Sequence, residues 1–255
     1  MRKAVKKVAL VTGAAKRIGH VIALTLARRG WDVAVHYHQS EAAAHDTVRA
    51  IEALGQRAVA LACDLGDAHA VKQLLAQASS ALGPVSCVVN NASLFDYDNA
   101  ADFSVERLDA HMHVNLAAPV LLAQALHAAT PDGQQSVVIN LLDQKLYNMN
   151  PDFLSYTLSK AALQSATVML AQALAPKVRV MGIAPGITMP SGNQTAAEFA
   201  LAHSMTPLQR SSTPDDVAAT VCFMADTPGI TGATLLVDGG QHLIPLPRDV
   251  VFVAK

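Results

Sequence analysis

The chain has 255 residues, 51% of them apolar and 15% charged, with a formal net charge of -1 at pH 7. That balance sets up no field for nucleic acid or an anionic membrane surface, and no window approaches the ~18 apolar residues of a transmembrane helix. The length is enough to bury one sizeable core, so a single domain over 1–255 is expected. Cys63, Cys87 and Cys222 lack CxxC spacing and read as reduced core thiols of a cytoplasmic protein. The start, Met1 to Lys7, is as basic as a signal n-region. The apolar run behind it, Val8 to Val11, is too short for an h-region and reads as a strand.

Taken in order, Val8 to Thr12 is a short apolar run closed by Gly13, the pattern of a buried parallel strand. Ile18 to Arg29 has helical periodicity and stops at Gly30. Asp32 to Tyr37, Arg57 to Cys63 and Val85 to Asn90 are the next strands, separated by helices over Glu41 to Leu54 and Ala68 to Leu82. A long helix over Val105 to Ala129 precedes a strand at Ser136 to Leu142, and a helix over Asn150 to Ala175 precedes one at Val178 to Ile183. Thr213 opens a helix to about Ala225, and Ala233 to Val237 is the seventh strand. Uninterrupted alternation of this kind predicts an α/β fold: a doubly wound, Rossmann-like parallel sheet with helices on both faces. Thr188 to Ser212 is the one long irregular piece, expected to be a substrate loop.

The stretch from Asn140 to Lys160 carries the densest chemistry. Asn150-Pro151-Asp152 has the look of a helix start, a capping side chain followed by Pro in the first turn. Tyr156 and Lys160 are four apart and fall on one helix face, where an ammonium would lower the pKa of the phenol. Asp143 stands thirteen residues before the tyrosine, and a carboxylate there would raise the same pKa.

Between the first strand and first helix lies Thr12-Gly13-Ala14-Ala15-Lys16-Arg17-Ile18-Gly19, where a dinucleotide fold places its phosphates against a helix N-terminus. NAD-specific folds end the second strand on an acid, whereas here it ends His36-Tyr37-His38-Gln39-Ser40, with no carboxylate until Glu41. His38 and Ser40 as donors, with Arg17 on the facing turn, suit a 2′-phosphate and favour NADPH; plain surface polarity is the competing reading for His38 and Ser40.

With these motifs the chain resembles the short-chain dehydrogenase/reductase superfamily over essentially its whole length. The resemblance rests on TGAAKRIG at 12–19, Asp64-Leu65, Asn90-Asn91-Ala92-Ser93, Val114-Asn115-Leu116, YTLSK at 156–160, and Pro185-Gly186. It implies a catalytic set of Tyr156, Lys160 and Asn115. It also implies cofactor contacts from Gly13, Arg17, Ile18, Gly19, His38, Ser40, Asp64, Leu65, Asn91, Ala92, Ser93, Pro185 and Gly186, together with Tyr156 and Lys160. The family usually has Ser thirteen residues before the Tyr, and this chain has Asp143. That departure, Arg17 in the glycine motif, HYHQS at 36–40, Phe95 and Pro207-Leu-x-Arg210 are similar to the pteridine reductases and bacterial dihydromonapterin reductases. Gln39 departs from that subgroup, which often has a basic residue there.

The resemblance implies NADPH-dependent reduction of a pterin-like small molecule, with Arg17, Ser93, Phe95, Asp143 and Tyr156 at the substrate. Phe95 would offer an aromatic face to the flat ring, with ordinary loop packing as the competing role. Reducing a C=N bond needs hydride at carbon and a proton at nitrogen, from Tyr156 or from Asp143 with water. Two alternatives stand beside it: a carbonyl reductase acting on a ketone such as a 3-oxoacyl substrate, and a non-enzymatic NADP-binding regulator. The histidines, including His111, His113, His127 and His203, show no metal-ligand spacing and read as solvated or half-buried, so no metal is expected. The family implies a homotetramer, and the apolar tail Gln241 to Lys255 is expected to pack on a neighbouring copy.

Overall fold

The computed structural model describes residues 7–190 and 194–253. The basic start at 1–6, positions 191–193 of the expected loop and the last two residues of the tail lie outside the described residues. The elements run β1 (Lys7–Val11), α1 (Arg17–Arg28), β2 (Trp31–Tyr37), α2 (Glu41–Ala53), β3 (Ala58–Ala62), α3 (Ala68–Leu82), β4 (Cys87–Asn90) and α4 (Val105–Met112). They continue with α5 (Ala118–Ala129), β5 (Ser136–Leu141), α6 (Leu154–Ala173), β6 (Val178–Pro185), α7 (Ala196–Ser204), α8 (Pro214–Asp226), β7 (Thr234–Val237) and α9 (Val250–Val253). All seven strands join one parallel sheet in the order β3-β2-β1-β4-β5-β6-β7, the doubly wound architecture the sequence predicts.

The sheet forms because its central strands are apolar on both faces, and successive residues point to opposite sides. Ala9, Val11, Val33, Ile139 and Met181 pack with Ile22 and Leu26 of α1 and Val217 and Val221 of α8. Val8, Leu10, Val88, Val138 and Val180 pack with Leu74 of α3 and Leu122 and Leu126 of α5 on the other face. Each fully buried side chain of this size contributes about 1.5–3 kcal/mol. Because β1 bonds to both β2 and β4, the strand order reverses there. A crevice opens beyond the C-terminal ends of these strands, the place where such sheets bind ligands.

The structure departs from the sequence expectation in three places. α6 begins at Leu154, not Asn150: Phe153 occupies the N-cap with φ 54 and ψ 54 and no side-chain cap of its own. The long helix at 105–129 is interrupted by a π-turn over His113–Ala117. The loop at 188–212 contains α7, started by a capping box between Thr195 and Glu198. The tail folds onto its own chain, where Val250 is buried against Ala202; Arg248 makes a two-pronged ion pair with Asp152 at 2.7–3.0 Å. Intramolecular ion pairs and contacts thus already cover part of the apolar tail.

Candidate active site

Five segments meet at the C-terminal edge of the sheet. The turn after β1 is locked to the one after β4: the Thr12 hydroxyl accepts from the backbone N–H of Asn91 and of Ala92, both at 3.0 Å. The Asn91 side chain returns to the Thr12 carbonyl at 2.9 Å. Gly13 has φ 63, and a Cβ at Gly19 would stand 2.2 Å from the Gly13 oxygen. Both positions therefore require glycine. α1 starts without a side-chain cap, which leaves its first-turn N–H groups available to a phosphate. The cradle fits a dinucleotide.

His36 braces this cradle, a role that the strand pattern alone did not reveal. Its Nδ1 accepts from the Gly13 N–H at 3.0 Å and its Nε2 lies 3.0 Å from the Cys63 carbonyl, which fixes the neutral tautomer with the proton on Nε2. Burial pulls the ring's pKa down to about 4. The other residues of the expected cofactor set divide into two groups. His38 and Asp64 lie 4.0 Å apart on the surface, each more than half exposed, with Ser40 two residues on and Leu65 buried. Arg17, at φ 55, turns its guanidinium instead to the Pro190 carbonyl at 2.9 Å. It lines the same cleft as Tyr156 and Asp143, and makes no hydrogen bond with His38 or Ser40 among the described residues.

That cleft encloses about 480 Å³ and is also lined by Ile18, Asn91, Ser93, Phe95, Lys160, Pro185 and Gly186. A Cβ on Gly186 would meet the Ser211 hydroxyl at 2.4 Å, so the backbone passes closely there. Tyr156 donates its hydroxyl hydrogen to Asp143 Oδ2 at 2.7 Å, and the other carboxylate oxygen accepts from the Lys145 N–H at 2.8 Å. Lys160 donates to the Leu141 carbonyl at 2.7 Å. Burial raises the Asp143 pKa against the pull of those hydrogen bonds, and burial followed by the Asp143 charge pushes Tyr156 well above its ordinary value. Burial brings Lys160 down to about 8. The lowered tyrosine pKa expected from YxxxK is thus reversed here, because burial and a carboxylate in contact outweigh the ammonium beyond the ring.

Asn115 sits in the π-turn, fully buried. It accepts from the Leu94 N–H at 2.8 Å, donates to the Leu94 carbonyl at 3.0 Å and to the Ser159 hydroxyl at 2.9 Å. The segment after β4 is pinned again at Asp96, whose N–H donates to His111 Nε2 at 3.3 Å. His111 is fully buried, contrary to the solvated or half-buried role expected for it, and its Nδ1 faces the Arg107 carbonyl at 2.8 Å. Phe95, held between these anchors, stacks on Phe153 with centroids 4.3 Å apart and meets Tyr156 edge-on at 4.6 Å. The left-handed backbone of Phe153 costs about 1–2 kcal/mol. Burial of its ring, 7% exposed, with the Phe95 stack and the Tyr97 edge contact at 5.1 Å, offsets that cost.

The tail of the same chain supplies part of the cleft wall. Gln241, Ile244, Leu246, Arg248 and Asp249 line the cleft, and Asp249 Oδ2 lies 3.4 Å from the buried Lys145 ammonium. Among the described residues no group of three His, Cys, Asp or Glu converges as metal ligands, and no helix is long and apolar enough to cross a membrane.

Residues 13–242 match a family model described as enoyl-(acyl carrier protein) reductase. Over 93% of this chain and 95% of that one, the fold superposes with a TM-score of 0.88 and 40% identity on FolM alternative dihydrofolate reductase 1 from Brucella canis, a structure complexed with NADP. A 3-oxoacyl-[acyl-carrier-protein] reductase of Synechocystis is 33% identical over 92% of this chain and 96% of its own length. A short-chain type dehydrogenase/reductase of Picea abies is 32% identical over 92% of each chain. With its glycine cradle, its Tyr156–Lys160 helix and these relatives, the chain belongs to the short-chain dehydrogenase/reductase superfamily of NAD(P)-dependent oxidoreductases.

Proposed function

We propose that the protein reduces a dihydropterin to the tetrahydropterin with NADPH. The observation that carries this reading is the 2.7 Å hydrogen bond from Tyr156 to Asp143, in a cleft that also holds Arg17 and Phe95. A serine in place of Asp143 would serve a ketone oxygen. A carboxyl group that both accepts and donates suits the ring nitrogens and amine of a pterin. The likeness to a dihydrofolate reductase structure at 40% identity supports the same reading.

NADPH, when bound, supplies the hydride to the ring carbon of the C=N bond. Gly13, Ile18 and Gly19 would hold its diphosphate, Arg17, His38 and Ser40 the 2′-phosphate, and Asp64 and Leu65 the adenine end. Asn91, Ala92, Ser93, Lys160, Pro185 and Gly186 would hold the nicotinamide end. The proton for the neighbouring nitrogen comes from Asp143, whose raised pKa keeps the carboxyl protonated to higher pH. Loss of that proton leaves a carboxylate already held by the Tyr156 hydroxyl and the Lys145 N–H. Proton loss from Tyr156 would leave a phenolate that the Asp143 carboxyl reprotonates across the same 2.7 Å hydrogen bond, so both routes end on the Asp143 carboxylate. Asp143 is therefore the source of the proton, given directly or through Tyr156.

The test is a panel of dihydropterins, dihydrofolate and ketones, 3-oxoacyl thioesters included, followed by loss of NADPH absorbance. Preferential turnover of a dihydropterin is expected; preferential turnover of a 3-oxoacyl thioester would overturn the reading. NADPH should bind more tightly than NADH, and Arg17→Ala should weaken NADPH the more. A homotetramer is the expected assembly, supported by Leu158, Val168 and Met169, which leave 44%, 45% and 67% of their surface exposed on α6. A monomer by light scattering at micromolar concentration would exclude it.

A further inference from the structure

We propose that Asp98 is a positioning residue of the active site, holding the first turn of α6, and with it Tyr156, in register with the segment that presents Phe95. α6 starts on a left-handed Phe153 with no side-chain cap of its own, so its leading N–H groups need partners from elsewhere. Asp98 supplies them. Its carbonyl accepts from the Leu154 N–H at 3.2 Å and its Oδ1 from the Ser155 N–H at 2.9 Å. Its Oδ2 accepts from the Ser155 hydroxyl. Asp98 and Ser155 are both fully buried, so no water competes for these bonds. The carboxylate also lies where a helix N-terminus favours negative charge.

Asp98 stands three residues after Phe95, in a segment tied at Leu94 by Asn115 and at Asp96 by His111. One side chain therefore sets the distance between the aromatic platform and the tyrosine, whose rings meet at 4.6 Å and 84°. Asp98 does not line the cleft, so it acts through Tyr156 and touches no reacting atom. This inference rests on the reading that Tyr156 and Phe95 face the substrate, and is independent of whether that substrate is a pterin.

The experiment compares Asp98→Ala and Asp98→Asn with the parent on whichever panel substrate the parent turns over, so a failure of the pterin reading leaves it intact. Asp98→Ala should lower kcat on the order of 10–100-fold, the scale of a displacement near 1 Å. NADPH affinity, read by cofactor fluorescence, should stay near the parent value. Hydrogen exchange at the Ser155 and Tyr156 amides should accelerate. Asp98→Asn keeps an acceptor for the Ser155 N–H and can donate to the Ser155 hydroxyl, so it should restore most of kcat. If Asp98→Ala does not fold, Asp98→Glu decides: it keeps the charge but adds a methylene in a fully buried site, and should lose kcat with NADPH binding intact. Parental kcat in the Ala or Glu variant would overturn the proposal. So would a fall in kcat matched by an equal fall in NADPH affinity, since that marks general damage.

Discussion

Lys160 donates to the Leu141 carbonyl at 2.7 Å, while its ammonium lies 5.8 Å from the centre of the Tyr156 ring. The lysine thus anchors α6 to the end of β5 and leaves the phenol to Asp143. Lys160 also lines the cleft, where the proposed function has it donate to the cofactor's ribose. Lys160→Ala is expected to weaken NADPH binding and turnover together, measured by fluorescence titration and steady-state kinetics.

Asp143→Ser should behave differently. A serine hydroxyl can still accept a hydrogen bond, but the substitution removes the carboxyl proton that the ring nitrogen needs. Dihydropterin kcat should fall roughly 100-fold or more, the usual scale for a lost acid catalyst, with NADPH affinity nearly unchanged. Parental turnover in this variant would transfer the proposed function to a ketone substrate.

The raised pKa of Asp143 gives a pH dependence of known sign. An acid whose folded pKa is raised above its unfolded value stabilises the fold fully below the unfolded pKa, and that contribution is lost as pH rises through the folded one. The proton-donating form disappears over the same range. Dihydropterin kcat/KM should therefore fall with rising pH, and Asp143→Asn should abolish that limb. Asp143→Asn should also melt higher than the parent at neutral pH, checked by thermal denaturation across pH.

His36 titrates with the opposite consequence. Its folded pKa is about 4 against 6.5, so its contribution to stability is present above 6.5 and lost as pH falls toward 4. The difference corresponds to roughly 3 kcal/mol. Protonation also removes the acceptor for the Gly13 N–H, so cofactor affinity should weaken in the same acidic window. His36→Phe should flatten the stability slope and bind NADPH poorly at every pH, read by denaturant melts and cofactor fluorescence.

Asp152, buried under the tail, binds Arg248 through two oxygens and accepts the Asp249 N–H at 2.7 Å. Asp152→Asn leaves Arg248 without its charge partner and should release the segment that walls the cleft. Limited proteolysis should then cut the C-terminal region faster, and substrate KM should rise several-fold while NADPH affinity holds. Equal proteolysis rates in parent and variant would argue against the latch.

The sheet was legible because its strands carry their own signal: Val8, Leu10, Val88 and Val138 alternate with Ala9, Val11, Val89 and Ile139, and both sets are buried. Tyr156, Lys160 and Asp143 were legible by spacing. The misplaced start of α6 has a physical reason. Asn150-Pro151-Asp152 reads locally as a cap, and Asn150 Oδ1 does accept the Asp152 N–H at 3.2 Å, but the helix starts later, where the Ser155 N–H is met by Asp98, 57 residues earlier. No local window contains that fact. The capping box of Thr195 and Glu198 stands in the sequence, but the turn residues around it mask the helix. The sign of the Tyr156 shift needed burial and a distance, which spacing does not supply.

The borrowed cap of α6 also bears on how the chain assembles. A helix end without its own cap is weak in isolation, and closing a loop of 57 residues carries an entropic cost that local structure does not. The cradle carries a longer closure still, since the Asn91 N–H reaches back 79 residues to the Thr12 hydroxyl, and Lys160 on α6 lines the same cleft. Nucleotide binding and turnover therefore both wait on long-range closure, and during refolding they should return together. Stopped-flow NADPH fluorescence that recovers in step with activity would show this. Fluorescence that leads activity would mean that the cradle forms ahead of α6.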